Sequence, residues 1–320
     1  MSGHTGQFFT LAAGIQSAKG TPQATPKVKL RITGGAVLPD PTIIDLPETD
    51  SSFQRSKSAK VGQSIGGAIE GFWRTDEIAF LAYAHLGALA TSGAGPYDHL
   101  ATAAAQTKYL TLFPAYDATA QVDRYSDCKI TELTLRGSGQ QALSYSAGFM
   151  GLVALMGSTD PVLTPSDLDP LVYPHVTVTL GGSTTDIVEA FELTSSRNME
   201  VIYGDTGMAG SDVTGGRWGV TGQLTILFES DAKHRAWLTN ATNGTASSPI
   251  IYTEALSILA SAAADDQVTV DMTAVELRRV GMEPDPSGNA LRFTYEFSAQ
   301  PQPDAADTFS IAVSNNVVSY

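Results

Sequence analysis

The stretch SIGGAIEGFWRTD, residues 64–76, lies over GVTGQLTILFESD, residues 219–231, without a gap. Only Gly67/Gly222 and Asp76/Asp231 are identical, yet physical character agrees at nearly every position. Ile65/Val220, Gly67/Gly222, Ile69/Leu224, Gly71/Ile226 and Trp73/Phe228 are all apolar or glycine, and the positions between them are mostly polar or small. Alternation of period two over this length marks a strand with one buried face. A passage that occurs twice in one chain points to two equivalent halves.

Working outward, each strand runs into Thr75 or Ser230, a hydroxyl suited to cap a helix, and then Asp76 or Asp231, whose charge suits a helix N-terminus. A helix is expected after both. In the first copy Ile78, Leu81, Ala82, His85, Leu86 and Leu89 fall on one stripe. The second copy, AKHRAWLTNA, is shorter and leaves Ala236, Trp237 and Ala241 to pack. Beyond each helix comes a strand and a hairpin: 108–116, then 128–149 turning at Gly137–Gly139; and 249–259, then 267–299 turning at Pro284–Gly288. Ahead of the repeats lie strands at 27–35, 175–182 and 187–194.

Between the halves, residues 157–174 hold four prolines and no sustained period, the composition of a linker. The expected organisation is an N-terminal arm (1–26), a first β domain (27–156), the linker (157–174), a second β domain (175–300) and a C-terminal arm (301–320). The fold class expected is mainly β, α+β in detail, with one helix flanking each domain.

A chain of 320 residues with 42% hydrophobic content can fill such cores. Only 16% of residues are charged, below the roughly 25% of an average soluble domain. The net charge of −14 repels phosphate backbones and anionic lipid, so a DNA reader or membrane binder is not expected. A single cysteine, Cys128, rules out an intrachain disulfide and reads as a small buried hydrophobe. The apolar patch Phe8–Ile15 has no basic residue before it to form a signal peptide, and the run Phe149–Met156 is too short to span a bilayer. A soluble, unsecreted chain is expected.

Gly62–Gly66 spell G-x-S-x-G, the pattern of a serine-hydrolase nucleophile elbow. That elbow needs a strand before the serine and a helix directly after it. Ser64 has a polar loop before it and a long strand after it, and its counterpart is Gly219. Of the five histidines, His4, His85, His99, His175 and His234, none stands at metal-ligand spacing. His85 reads as a buried, hydrogen-bonded imidazole and the others as surface or turn positions. EPDPSGN (283–289) lacks the ligand pattern of a calcium loop and reads as a turn. No P-loop, dinucleotide fingerprint or basic aromatic patch is present, so no catalytic residue, cofactor or metal is expected.

Particular phrases carry a resemblance: GIQSAKGTP at 14–22, VGQSIGGAIEG at 61–71 with DEIAFLAYAHLGA at 76–88, YDHL at 97–100 with KYLTLF at 108–113, and RYSDCKITELTLRGSGQQALSYSA at 124–147. Together with the order of elements in each half, they make the chain resemble the tail-tube proteins of long-tailed, siphophage-type bacteriophages. The resemblance implies β-sandwich or partly closed barrel domains, six to a ring, with rings stacked into the conduit for DNA ejection. Two domains per chain then imply three chains per ring and pseudo-sixfold symmetry.

By the same resemblance, the loop before the glycine-dotted strand reaches the adjacent ring and orders only on stacking. It spans Glu48–Lys60, with Glu48, Asp50, Arg55, Lys57 and Lys60, and Gly204–Gly216, with Asp205 and Asp212. Glu70 and Glu229 are lumen candidates, since a carboxylate-lined bore keeps DNA from adsorbing. The implied partners are other copies of the chain and the tape-measure, tail-tip and terminator proteins, with genomic DNA passing unbound. The implied location is the virion tail, after synthesis in the host cytoplasm. Two other readings stay open: a non-enzymatic two-domain β-sandwich for adhesion or capsid decoration, and a hydrolase using Ser64.

Overall fold

The computed structural model describes residues 9–46, 57–116, 122–159, 161–185, 188–204, 207–227, 232–241, 244–283, 290–303 and 308–320. Its first half contains β1 (Thr10–Ile15), β2 (Val28–Leu30), β3 (Ile32–Asp45), β4 (Ser58–Phe72), α1 (Thr75–Leu86), β5 (Gly87–Ser92), β6 (Tyr97–Ala103), β7 (Leu110–Ala115), β8 (Val122–Ser138), β9 (Ser144–Gly151) and β10 (Val153–Ser158). The second contains β11 (Val176–Leu180), β12 (Ser183–Thr185), β13 (Val188–Ser196), β14 (Glu200–Ile202), β15 (Asp212–Thr214), β16 (Gly219–Leu227), α2 (Ala232–Thr239), β17 (Thr253–Ala263), β18 (Asp266–Glu283), β19 (Arg292–Ala299) and β20 (Ser310–Asn315). The fold is mainly β, and the ladders between these strands are antiparallel.

The strands of the repeated passage, β4 and β16, occupy matching places. β4 lies between β3 and β9, and β16 between β13 and β19. The registers match too: Gly67 faces Val37 and Phe149, as Gly222 faces Leu193 and Phe297. Even the irregularity recurs, between Ile32 and Gly34 in β3 and between Val188 and Ala190 in β13. The C-terminal parts of β8 and β18 complete each half, giving the order β3-β4-β9-β8 in one and β13-β16-β19-β18 in the other.

The two four-stranded units join because β8 pairs with β13 over Glu132–Ser138 and Ser196–Ala190. One eight-stranded layer therefore runs β3-β4-β9-β8-β13-β16-β19-β18. The N-terminal part of β8 leaves this layer for a second sheet, β2-β1-β7-β8-β10, and β18 extends through β17, β11 and β12. The chain segments at 10–15 and 310–315 are strands of the same molecule: β1 pairs with β2 and β7, and β20 bridges β18 to β6. The core contains Ile65, Ile69 and Trp73 from the first copy of the repeat and Val220, Leu224 and Ile226 from the second.

Helix α1 differs from its expected form in three ways. It is buried on nearly all sides, taking Ala79, Phe80 and Ala84 into the core as well as the expected stripe. The Thr75 hydroxyl does not cap it but donates to Asp266 Oδ1 at 2.9 Å, tying the helix start to the second half. The helix ends before Leu89, because Gly87 takes the left-handed conformation at φ 99° and its N–H closes on Tyr83 O. Leu89 then belongs to β5, half of a hairpin that the helical stripe had concealed.

The identical glycine of the repeat has a steric cause. A Cβ on Gly67 would stand 2.1 Å from Ala36 O, and one on Gly222 2.2 Å from Glu192 O, the equivalent carbonyl of the equivalent strand. Gly67 also sits at φ 139°, where an L side chain is strained. Gly67→Ala and Gly222→Ala are each expected to cost about 1–3 kcal/mol, as for overpacking. Gly67→Ala should be the worse of the two, read from urea denaturation midpoints.

Candidate assembly surfaces and channel face

One face of the eight-stranded layer packs on the core, so period-two geometry sends the alternate side chains to the other. Cross-strand pairing lines these up in rows. One row runs Glu70, Ser146, Thr134, Thr194, Thr221, Ser298, Glu276. The next runs Phe72, Ser144, Arg136, Glu192, Gln223, Glu296, Arg278. A third holds Ala36, Ala68, Gly148, Glu132, Ser196 and Gly219.

The face is thus hydroxyl-rich, and its carboxylates Glu70, Glu132, Glu192, Glu276 and Glu296 outnumber Arg136, Arg278 and Arg292. Arg136 meets Glu192 across the joint of the halves, Nε to Oε2 at 3.2 Å, on an exposed pair worth little in stability. Thr134 and Thr194 share a hydrogen bond of 3.0 Å across the same joint.

The expected lumen residue Glu70 lies on this face, exposed; Glu229 falls outside the described residues. Sequence reading passed over Glu132, Glu192, Glu276 and Glu296. Their signal was available: each alternates with buried neighbours such as Leu133, Leu193, Leu277 and Phe297.

The strands β3 and β4 run past the edge of the layer as a long two-stranded arm, paired from Asp40/Ser64 to Asp45/Ser58. Ile43, Ile44, Leu46 and Val61 are exposed on it. Of the residues expected in the first loop, Lys57 and Lys60 are described and exposed; β4 already begins at Ser58, and Lys60 Nζ donates to Gln63 Oε1 at 2.8 Å. Glu48, Asp50 and Arg55 lie outside the described residues.

The second loop forms a small hairpin, β14–β15, that sequence reading did not foresee. Asp205 is outside the described residues. Asp212 is held within the chain: Tyr109 Oη donates to its Oδ1 at 2.6 Å, and Lys19 Nζ stands 3.7 Å away. Beside it Val213 is buried and its carbonyl accepts from Lys129 Nζ at 2.8 Å. The second loop meets β4 just past the first loop, since Gln63 N donates to Met208 O at 2.7 Å.

The joint between halves is sealed by buried polar groups on α1 and β13. Trp218 Nε1 donates to Ser195 Oγ at 3.0 Å, the Ser195 hydroxyl lies 2.8 Å from His85 Nε2, and His85 Nδ1 lies 3.2 Å from Ile130 O. A neutral imidazole protonated on Nδ1 satisfies every member of this chain. Arg197 completes the seal by donating to Leu86 O and Ala104 O, at the negative end of α1.

His85 therefore occupies the buried, partnered setting expected of it. His99, expected at the surface, is also buried, its Nε2 2.8 Å from Val317 O and its Nδ1 3.0 Å from Thr91 Oγ1, because β20 covers the β5–β6 hairpin. His175 is half-buried; His4 and the His234 side chain lie outside the described residues. Cys128 is fully buried, and burial raises its thiol pKa, so it stays a protonated thiol. Ser64 sits within β4 opposite Asp40, eight residues before the strand ends, without the strand-to-helix turn an elbow requires.

Comparison with known proteins adds one match. The model of a family described as phage tail tube protein matches residues 10–316, nearly the whole chain. No curated protein matches the chain.

Two buried groups give the fold opposing pH dependences. Burial, with the Arg197 charge adding to it, lowers His85 from 6.5 to about 4, so stability held above pH 6.5 is lost as pH falls towards 4. Burial raises Glu77 from 4.5 to about 7, against hydrogen bonds from Arg31 N and Tyr145 Oη, so stability held below pH 4.5 is lost as pH rises through 7. Relative to wild type, Glu77→Gln should gain stability with rising pH and His85→Gln should lose it. Each change should reach at most about 3 kcal/mol across pH 4–8, from urea midpoints.

Proposed function

From a chain that belongs to the phage tail tube protein family, we propose a subunit that polymerises into stacked rings and forms the conduit for DNA ejection. The observation that carries this reading is the eight-stranded layer: two equivalent four-stranded units side by side, with one continuous hydrophilic face. Three chains supply six such units, so a ring of three has pseudo-sixfold symmetry, and the hydrophilic faces line the bore.

The chemistry of that face suits passage of DNA. A phosphate backbone passing close to Glu70, Glu132, Glu192, Glu276 and Glu296 meets like charge, and no basic stripe offers it counterion release. The hydroxyls between them hold water against the wall. Attraction of even modest strength per subunit, multiplied over many rings, would hold the genome back.

The arm of β3 and β4 supports contact between rings. It carries exposed Ile43, Ile44, Leu46 and Val61, whose burial against an adjacent ring would favour stacking. The loop at 204–216 reaches the neighbouring ring only through its exposed part, around Met208, since Asp212 and Val213 hold its base to the first half. The family reading further implies contacts with tape-measure, tail-tip and terminator proteins, and a place in the virion tail.

Negative-stain imaging and native mass measurement of the purified chain test the reading. Rings or tubes are expected, with an isolated ring weighing three times the 33.6 kDa chain. Rings of six chains would overturn the stoichiometry, and persistent monomers at high concentration would favour a decoration or adhesion module instead. A charge test is independent of the count: with Glu132, Glu192 and Glu296 all changed to Lys, the assembly should adsorb double-stranded DNA at low salt and release it as salt rises. The wild-type assembly should adsorb none.

A further inference from the structure

The two halves treat the chain beyond their equivalent ladders in opposite ways, and from that difference we propose that the hairpin β14–β15 of the second half is a brace for the β3–β4 arm of the first. Braced, the arm keeps one direction, and the two loop regions of a chain meet an adjacent ring as one limb. That last step rests on the ring reading; the brace itself does not.

Ser64 and Gly219 are equivalent, as are Asp40 and Ser196, which face them. In the first half the ladder continues past Asp40/Ser64 to Asp45/Ser58 and forms the arm. In the second it stops at Ser196/Gly219, and the chain turns at Asn198, φ 40°, into β14. The hairpin that follows lies against the first half of its own chain.

Its base is fastened to separate parts of that half. Lys129 of β8, buried, donates from Nζ to Val213 O at 2.8 Å, with its ammonium 4.2 Å from the centre of the Tyr109 ring. Tyr109, just before β7, donates to Asp212 Oδ1 at 2.6 Å, and Lys19, in the loop after β1, donates to Ser211 O. Val213 is fully buried, and Gly210 lies so near Leu152, just after β9, that a Cβ on it would stand 2.8 Å from Leu152 Cδ2. Hydrogen bonds to charged groups are the stronger kind, so the base is the fixed end.

The other end meets the arm where the arm needs support. A two-stranded ribbon is marginal by itself. Here Pro39 and Pro41 withhold N–H groups, and the register slips between Thr42 and Ile43. β9 accompanies β4 only as far as Ile65. Two positions further out, Gln63 N donates to Met208 O at 2.7 Å and Gln63 pairs with Ala209, so the hairpin takes over where β9 stops. Beside it Gly62 is buried while Lys60 and Val61 are exposed, and the Tyr203 ring lies against it: a Cβ on Gly62 would stand 3.4 Å from Tyr203 Cε1.

The first test locks this contact with Gln63→Cys and Ala209→Cys in one full-length chain. Residues paired across neighbouring strands lie about 5 Å apart, within disulfide range. Cys128, fully buried, does not compete. Mild oxidation of the unassembled chain should close the bond, and the locked chain should form tubes at or below the concentration the wild type needs. A bond that does not form would overturn the brace. Locked rings that stack only after reductant is added would overturn the single limb, because the loop would then have to leave the arm.

Hydrogen exchange provides a second measure that does not depend on assembly. Lys129→Met and Tyr109→Phe loosen the base, and each should speed exchange at the Gln63 amide about tenfold or more. Closing the 63–209 bond in the Lys129→Met chain should slow it again. Unchanged exchange at Gln63, or equal acceleration along β16, would overturn the proposal. Monomers throughout would count against the ring reading, and exchange at Gln63 would still decide the brace.

Discussion

The antiparallel ladder between β8 and β13 is the constraint from which the rest of the molecule follows. Through it two four-stranded units become one layer, their core faces turn the same way, and their hydrophilic rows run without a break from Glu70 to Glu276. Alternation along each strand decides which side chains are wet; the ladder decides that the wet side chains of both halves share a surface. Burial then secures the joint, since His85, Ser195 and Arg197 spend polar groups across it.

Much of this was legible in the sequence because its period is simple. The duplicated strand, the hairpins β8–β9 and β18–β19 and the presence of a helix after each copy all follow from alternation and from residue type. Gly67 and Gly222 were visible as an identity, but its cause, a carbonyl standing where a Cβ would be, is a fact about the neighbouring strand. The elements that escaped are those whose local signal belongs to something else. The β5–β6 hairpin takes in Leu89, which continues the helical stripe, and only Gly87, at its start, marks the change. The β14–β15 hairpin has strands of three residues, too short to show a period, and is held by Tyr109 and Lys129 from far away in the chain.

The same limit explains the hydrophilic face. Glu70 could be named from its strand alone, whereas Glu132, Glu192 and Glu296 become members of one surface only when the strand order is known. Thr75 and His99 show the converse error. Each was assigned a local role, a cap and a surface position, and each is claimed by a distant partner, Asp266 and the carbonyl of Val317. Long-range pairing overrides local chemistry most often where two halves of a chain close on each other, because there the partners are remote in sequence by construction.

Fusing two units in one chain also changes the energetics of assembly. Six separate units closing a ring must each give up translational and rotational freedom, a cost estimated at 4–15 kcal/mol or more for each association. In the proposed ring of three chains every second joint is intramolecular, so three of the five associations that join six units are met on folding. The internal joint can accordingly be specialised, with a buried histidine, a helix-capping arginine and the β20 strand as a brace. At the outer edges, among the described residues, β3 has no partner strand beyond β4, and Asp40 and Arg278 are exposed. An unpaired β edge invites indiscriminate pairing. Pro39 and Pro41, on either side of Asp40 in β3, cannot donate backbone hydrogen bonds, and such residues blunt the edge against any partner strand.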